Sequence, residues 1–281
     1  MKQLIYLILL FIAVSQLSAQ QTFKILTYNI RLDTPDDEQN AWVFRKDSVG
    51  LFLSNTHPDF FGLQEVVHNQ LMDLQLSLTE YQYVGVGRLD GKTHGEYSPV
   101  FFNKGKFDLL KNGNFWLSET PEIPGSKGWD AACERIVSWA SLKSKESKDT
   151  IFVFNTHFDH MGKVARFESA KLILKRISQI AQNHAVVLMG DFNSPTSENA
   201  YKLLSDFSIS KLTDVRNAQS VLDSQITFMG FDQETENDAL IDFVFVNKHF
   251  KPIAYQVKKI NDRNFYFSDH LPVYTEIQLI K

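Results

Sequence analysis

Residues 23–30, 60–64, 100–103, 151–157, 185–189, 240–246 and 273–280 are short runs, most of them apolar on successive positions rather than alternate ones. A strand of that kind has no face to give to water, so other layers must cover it on both sides. Residues 136–142 form a shorter run of the same character. An open sheet with one wet face is therefore excluded.

Helical patterns lie between these runs. Residues 42–54 set Val49, Phe52 and Leu53 on one side. Residues 162–182 repeat Val164, Phe167, Ala170, Leu174, Ile177 and Ala181 at steps of three and four, with the basic residues mostly elsewhere. Residues 196–204 follow Pro195 and predict a short helix with Thr196 or Ser197 as N-cap. Pro121, Pro124, Gly125 and Gly128 mark a long irregular stretch, and so do the polar residues 217–236. Strands and helices interleave without strict alternation. The expected fold is α/β (α+β by some schemes): a four-layer sandwich of two packed, mainly antiparallel or mixed β-sheets flanked by helices. No repeat or composition break divides the 281 residues, so one domain is expected over 20–281.

The first residues have a different character. Met1-Lys2-Gln3 is short and weakly basic, residues 4–14 are almost unbroken apolar, and residues 15–20 turn small and polar. That pattern predicts a signal peptide over 1–19, cleaved near Ala19, and hence an exported protein, periplasmic or secreted. The run is shorter than the roughly 20 residues a bilayer crossing needs. No Cys follows it to carry a lipid, so no stable membrane anchor is expected. Cys133 is the single cysteine, which rules out an internal disulfide. A small, half-buried, inert residue is a plainer reading of it than a nucleophile. Formal net charge is −4, and −5 without Lys2. That is not the basic footprint of a general nucleic-acid binder. A small phosphorylated substrate remains compatible, because divalent cations reverse the local sign. A monomer is expected.

The chemistry is expected where apolar strands end on polar residues. A strand end is rigid on one side and open on the other, which suits a reacting group. Such endings occur at Asn29, at Glu65, at His157, at Asp191 with Asn193 two residues on, and at Ser268-Asp269-His270 before the last strand. Any one of them alone reads as a turn or cap residue. Together they supply acids, amides and imidazoles, a set that suits Mg²⁺ or Mn²⁺ better than a closed zinc site. Asp242 lies in an apolar strand, where a carboxylate needs a partner; a histidine whose tautomer it fixes would supply one.

The pieces TYNIR at 27–31, LQEV at 63–66, NTHFDH at 155–160, GDFNS at 190–194, IDFVFV at 241–246 and SDHLPV at 268–273 stand in an order and spacing that resembles the endonuclease/exonuclease/phosphatase family, the superfamily of deoxyribonuclease I. The stretches 126–142, 159–173, 95–104 and 227–231 resemble a subgroup of uncharacterised exported bacterial metal-dependent hydrolases within it. The resemblance implies a metal-dependent phosphoesterase acting by in-line water attack. It implies that Glu65 is the principal metal ligand with Asn29 and Asp269 near it, holding one or two Mg²⁺ or Mn²⁺ ions. It implies that Asp191 positions or deprotonates the water, or holds a second metal, and that Asn193 holds the phosphate or Asp191. His270 backed by Asp242, and His157, would contact the scissile phosphate or the leaving oxygen. Positioning and charge neutralisation dominate such chemistry.

Arg135, Arg31 and Arg166 are further candidates for forking onto a phosphate. Tyr97 is a candidate hydrogen-bond partner, Asp159 and His160 candidate pocket walls, and Trp129 a stacking surface. For each of these, ion pairing or packing is the competing reading. Thr-His-Phe-Asp-His also brings to mind a dinuclear zinc signature, but Asn155 stands where the first His belongs. A binding protein that kept the fold without the chemistry is a further alternative. The expected partner is a small phosphorylated substrate, with DNA or RNA as the alternative.

Overall fold

A computed structural model describes residues 21–218, 226–231, 239–259, 261–262 and 265–280. The expected signal peptide at 1–19 and much of the loop at 217–236 lie outside the described residues. In chain order the first strands are β1 (Thr22–Asn29), β2 (Phe60–Gln64), β3 (Tyr81–Val84) and β4 (Val100–Asn103). They are followed by β5 (Phe107–Trp116), β6 (Ile136–Ser144), β7 (Thr150–His157), β8 (Ala185–Asp191), β9 (Leu212–Asp214) and β10 (Asp242–Asn247). The chain closes with β11 (Phe250–Val257), a small pair β12 (Asn261–Asp262) and β13 (Phe265–Tyr266), and β14 (Val273–Leu279). The helices are α1 (Trp42–Thr56), α2 (His68–Ser77), α3 (Lys163–Ala181), α4 (Asn199–Ser205) and α5 (Phe207–Ser210).

Two six-stranded sheets result, in the orders β11-β14-β1-β2-β4-β3 and β5-β6-β7-β8-β10-β9. Each has one parallel pair at its centre, β1–β2 and β7–β8, and its other pairings are antiparallel. A parallel pair requires a crossover, and α1 and α3 make the two crossovers. The apolar runs fill three layers of core. Phe23, Ile25 and Phe60 meet Val153, Val187 and Val244 between the sheets. Ala170, Ile173 and Ile177 of α3 cover the outer face of the second sheet. Trp42, Val49 and Leu53 of α1, with Leu71 and Leu74 of α2, cover the first. This is the expected four-layer sandwich.

One polar bolt crosses the inner layer. Fully buried Asn155 of β7 donates from Nδ2 to the carbonyls of Leu63 (2.7 Å) and Pro99 (2.8 Å), and its Oδ1 accepts from Gln64 Nε2 (2.7 Å). A side chain at Gly62 would collide with it, since a Cβ there would lie 2.5 Å from Asn155. Asn155 therefore ties the two sheets together, which accounts for an amide where a zinc signature has histidine.

Some boundaries differ from expectation. The strand expected over 240–246 begins at Asp242 itself. The helix expected over 196–204 begins at Asn199, with Glu198 at the N-cap, not Thr196 or Ser197. Glu198 is held there because Arg166 grips its carboxylate with two bonds. Among the described residues no helix is long and apolar enough to cross a membrane.

Candidate active site

Strand register sets the site. His157 and Asp191 are paired across β7–β8, and Asp191 is paired with Asp242 across β8–β10, so three polar residues stand in one row. In the other sheet Asn29 pairs with Gln64, which puts Asn29 and the next residue, Glu65, at the ends of the central parallel pair. The two ends meet directly. Buried Asn29 donates from Nδ2 to Glu65 Oε1 and to Asp191 Oδ2, 3.0 Å in each case. Glu65 (φ 60°), Asn193 (φ 45°) and Arg31 (φ 57°) all adopt left-handed backbone, at about 1–2 kcal/mol each for a residue with a Cβ. Strain of this kind clusters where geometry serves a site.

Asp191 is the hub. Its Oδ1 accepts from the Asn193 amide at 2.9 Å, while Oδ2 lies 3.4 Å from His157 Nε2 and 3.6 Å from His270 Nε2. Burial pushes its carboxyl up and the Asp242 charge adds to this, against the pull of His270, Asn193 and Asn29. His270 Nδ1 meets Asp242 Oδ2 at 2.9 Å, the pairing expected for a carboxylate at that position. Burial alone would lower the His270 imidazole, but the Asp242 and Asp191 carboxylates raise it to about 10, so it is an imidazolium at neutral pH. His157 is opposite in sense. Burial, with the Arg135 and Arg88 cations nearby, pushes it well below its ordinary value. Asn193 Nδ2 donates to the Phe158 carbonyl, which fixes the amide's orientation, and the same nitrogen donates to His157 Nε2 at 3.0 Å. Neutral His157 therefore carries its proton on Nδ1, which faces Glu96 Oε2 at 3.8 Å.

On the other side Glu65 Oε2 and Asp269 Oδ2 lie 3.9 and 4.0 Å from one nitrogen, Arg31 Nη1. Two acids thus converge on a positive group beyond hydrogen-bond reach. Burial pushes Asp269 up and the Glu65 charge adds to this. Two carboxylates facing one positive group are a hard-oxygen pair of the kind Mg²⁺ or Mn²⁺ takes, so Glu65 and Asp269 fit a divalent ion; Asn29, expected beside them as a ligand, instead holds Glu65 through its Nδ2, and its Oδ1 accepts from the Arg31 amide. Among the described residues, two groups of three ligand-type side chains bring their ligand atoms within 4.8 Å of one another, neither of them including Glu65 or Asp269: Asp191, Asp242 and His270, and Cys133, Asp159 and His160. In the second, both Asp159 oxygens already accept backbone amides, and His160 Nδ1 is bonded to Arg135 Nη2 at 3.1 Å. That group anchors a loop rather than offering free donors.

Glu65, His157, Asp191, Asn193, Asp269 and His270 line one cavity of about 380 Å³ with Arg31, Arg135 and His160. Asn29 and Asp242 stand behind its wall. Arg135 is buried, and its Nε and Nη1 have no hydrogen-bond partner. Tyr97, Arg166 and Trp129 do not line the cavity. Tyr97 donates its hydroxyl to the Lys92 carbonyl at 3.1 Å. Arg166 is bound to Glu198 and the Asp159 carbonyl, and the Trp129 amide donates to Glu119. Two charged lining residues were not anticipated: Glu96, and Arg88, which grips it at 2.6–2.7 Å. Their only signal was the stretch 95–104, which contains Glu96. The apolar lining residues Leu32, Ile241 and Phe228 were not anticipated either, and Phe228 is tilted on the His270 ring at 4.9 Å.

Residues 26–270 match the sequence profile of the Endonuclease/Exonuclease/phosphatase family. The chain belongs to this family. Its members are hydrolases that act on phosphoester bonds, generally with a divalent metal. A family structure from Bacteroides vulgatus is 37% identical, with TM-score 0.88 over 93% of this chain and 100% of that one. A mannosyl-6-phosphatase from Bacteroides thetaiotaomicron is 35% identical, with TM-score 0.83 over 91% of this chain and 99% of that one. An uncharacterized protein of Acanthamoeba polyphaga mimivirus, R895, is 25% identical over 247 residues, a match that covers 74% of this chain and 35% of that protein.

Proposed function

We propose that this protein hydrolyses phosphate esters with Mg²⁺ or Mn²⁺, and that its substrate is a small phosphomonoester, a sugar phosphate foremost. The observation that carries the reading is the Asn29 amide bonded to both Glu65 and Asp191. It joins the acids that would hold a cation to the groups that handle protons, across two sheets and within one cavity. A bound divalent ion supplies neutralisation of phosphoryl oxygens. The side chains supply the rest. Asp191, made more basic by burial and flanked by two imidazoles, orients the attacking water and takes its proton. His270 brings fixed positive charge to the phosphate, held in orientation by Asp242. His157 stays uncharged, and Asn193 holds it and Asp191 in place. Arg135 keeps an unpartnered Nη1 at the cavity wall, suited to a phosphate oxygen, while its Nε faces Asp159 Oδ2 at 3.6 Å.

A cavity of about 380 Å³ suits a small ligand. The similarity to a mannosyl-6-phosphatase supports a sugar phosphate. The test is phosphate release from mannose 6-phosphate and p-nitrophenyl phosphate, beside bis-p-nitrophenyl phosphate and oligonucleotides. With Mg²⁺ or Mn²⁺ the small monoesters are expected to turn over fastest. Faster cleavage of oligonucleotides would move the reading to a nuclease, and inertness on the whole panel would leave a binding protein. We propose further that the protein works as a monomer outside the cytoplasm. Cell fractionation and gel filtration test those two points.

A further inference from the structure

Arg45 is fully buried, yet among the described residues it has no carboxylate partner. It lies on the apolar stripe of α1, one turn before Val49 and two before Leu53. A buried charge is costly unless its hydrogen bonds are met, and backbone carbonyls meet these. Nε donates to Asn40 O (2.5 Å), Nη2 to Arg31 O (3.2 Å), and Nη1 to both Ile30 O (2.6 Å) and Phe267 O (2.8 Å). The guanidinium also faces the rings of Trp42 and Phe231, 5.5 and 5.7 Å from their centroids.

The choice of carbonyls is informative. Ile30 and Arg31 directly follow Asn29, and Phe267 stands two residues before Asp269. One nitrogen, Nη1, therefore joins the residue after Asn29, whose amide holds Glu65, to the loop that carries Asp269, and Glu65 and Asp269 are the acids fitted to a cation. A second tie runs beside it, the Ser268 hydroxyl donating to Asn29 O at 2.7 Å. A helix-borne fork with five donors suits several fixed carbonyls at once, and an ammonium does not.

We propose that Arg45 is a positioning residue: by clamping the Ile30 and Phe267 carbonyls together it sets the spacing of Asn29 and Asp269, and through that spacing the affinity for the divalent cation. This rests on the metal reading given above, which the experiment separates from it. Mn²⁺ binding to metal-free full-length protein is followed by calorimetry and by loss of the free-ion spectrum in electron paramagnetic resonance, for the unsubstituted protein, Arg45→Lys, Arg45→Gln and Val49→Ala. Val49 is equally buried on the same helix, and its side chain makes no hydrogen bond to either loop, so it controls for lost packing and stability. Both Arg45 variants are expected to raise the Kd for Mn²⁺ about tenfold or more, the usual cost of losing a group that orients metal ligands. Val49→Ala should stay within about twofold, since it leaves those ligands oriented. Unchanged Kd in Arg45→Lys, or an equal loss in Val49→Ala, overturns the inference. Absence of Mn²⁺ binding by the unsubstituted protein overturns the metal reading and this inference with it. Should neither Arg45 variant fold, Ser268→Ala removes the parallel tie to Asn29 O, together with its 3.2 Å contact to Asp269 Oδ1, with Arg45 in place, and unchanged affinity even there overturns the inference that the spacing of these loops sets cation affinity.

Discussion

Each sheet has a parallel pair at its centre crossed by a helix, β1–β2 with α1 and β7–β8 with α3, and each pair ends at the cavity next to a residue in left-handed backbone, Glu65 or Asn193. The chemistry at the two ends differs. The first pair ends in Asn29 and Glu65 and presents the Glu65 carboxylate, held by the Asn29 amide, with Asp269 from the loop before β14 beside it. The second ends in His157 and Asp191 and, through β10, recruits Asp242 and His270; it presents groups that hold or exchange protons. Similar scaffolds thus divide the work, one half suited to a cation and the other to a proton, and the Asn29 amide is the seam. The difference follows from what each end pairs with. β8 has an antiparallel neighbour, β10, whose first residue faces Asp191 directly, whereas β2 is bordered by β4, which brings no acid to that row.

If the division is real, the halves fail in different ways. Asp191→Asn should lower turnover of a small phosphomonoester about 10³-fold, in the range for losing a positioned base together with its electrostatic support. Mn²⁺ affinity should change little. Parallel loss of Mn²⁺ binding in that variant would instead make Asp191 a ligand to a second ion and erase the division. Chelation by excess EDTA should abolish turnover of the unsubstituted enzyme, with recovery on adding Mg²⁺ or Mn²⁺; full activity in chelator would remove the cation half altogether.

The next largest effect is on stability. Gly190 (φ 152°) precedes Asp191 between β8 and β7, and a Cβ there would lie 2.1 Å from the Thr156 carbonyl oxygen. Backbone cannot yield as a side-chain tip can, so Gly190→Ala should cost about 3 kcal/mol or more in denaturant unfolding. Turnover should fall with it, because the His157–Asp191 register is what the collision displaces. Wild-type stability in that variant would mean that the two strands tolerate separation. Glu65→Gln is expected to act on the other half alone: Mn²⁺ affinity falls about 10- to 100-fold, and part of the lost activity returns at high metal concentration. Saturating metal that restores nothing would place Glu65 in the chemistry rather than in cation binding.

Apolar patterning carried most of this fold, because central strands buried on both faces and the α3 stripe leave a strong trace. It missed β3, β5, β9, β11, the small pair β12–β13, α2 and α5, and for β5, β11 and α2 there is a physical reason. β5 runs through Lys111, Asn112, Gly113 and Asn114 and bulges between Leu109 and Lys111. β11 is an edge strand with Pro252 and an irregular register, and α2 opens His-Asn-Gln. Wet, interrupted elements write little periodicity. Within the site, residues at strand ends were legible because a polar residue closing an apolar run stands out. Arg88 and Glu96 were not, since their burial depends on a loop folding over the cavity. Arg45 did leave a mark, an arginine at steps of three and four from Trp42, Val49 and Leu53, but such a residue reads equally well as a snorkelling surface cation. Arg166 and Tyr97 show the converse: right in chemical type, but already engaged by Glu198 and Lys92.

The smallest expected effect concerns how the second half holds its cavity wall. Asp159 follows β7 by two residues and binds four backbone amides, those of Ala132 and Cys133 on one oxygen and those of Met161 and Gly162 on the other. It so fastens the loop that leads to Arg135 onto the start of α3. Burial alone would raise its carboxyl, but the Gly162, Cys133, Ala132 and Met161 amides hold it down at about 2. A folded value below the unfolded one means that the ionised form stabilises the fold. That contribution is complete above roughly pH 4 and is lost as pH falls towards 2. Asp159→Asn should therefore cost about 1–2 kcal/mol at pH 7 and only a small fraction of that relative to wild type near pH 2, where the wild-type group is already about half protonated. Denaturant unfolding of the two proteins at both pH values measures the gap. A gap that persists undiminished in acid would mean that these bonds depend on shape alone, and that the charge of the second half is concentrated at Asp191, Asp242 and His270.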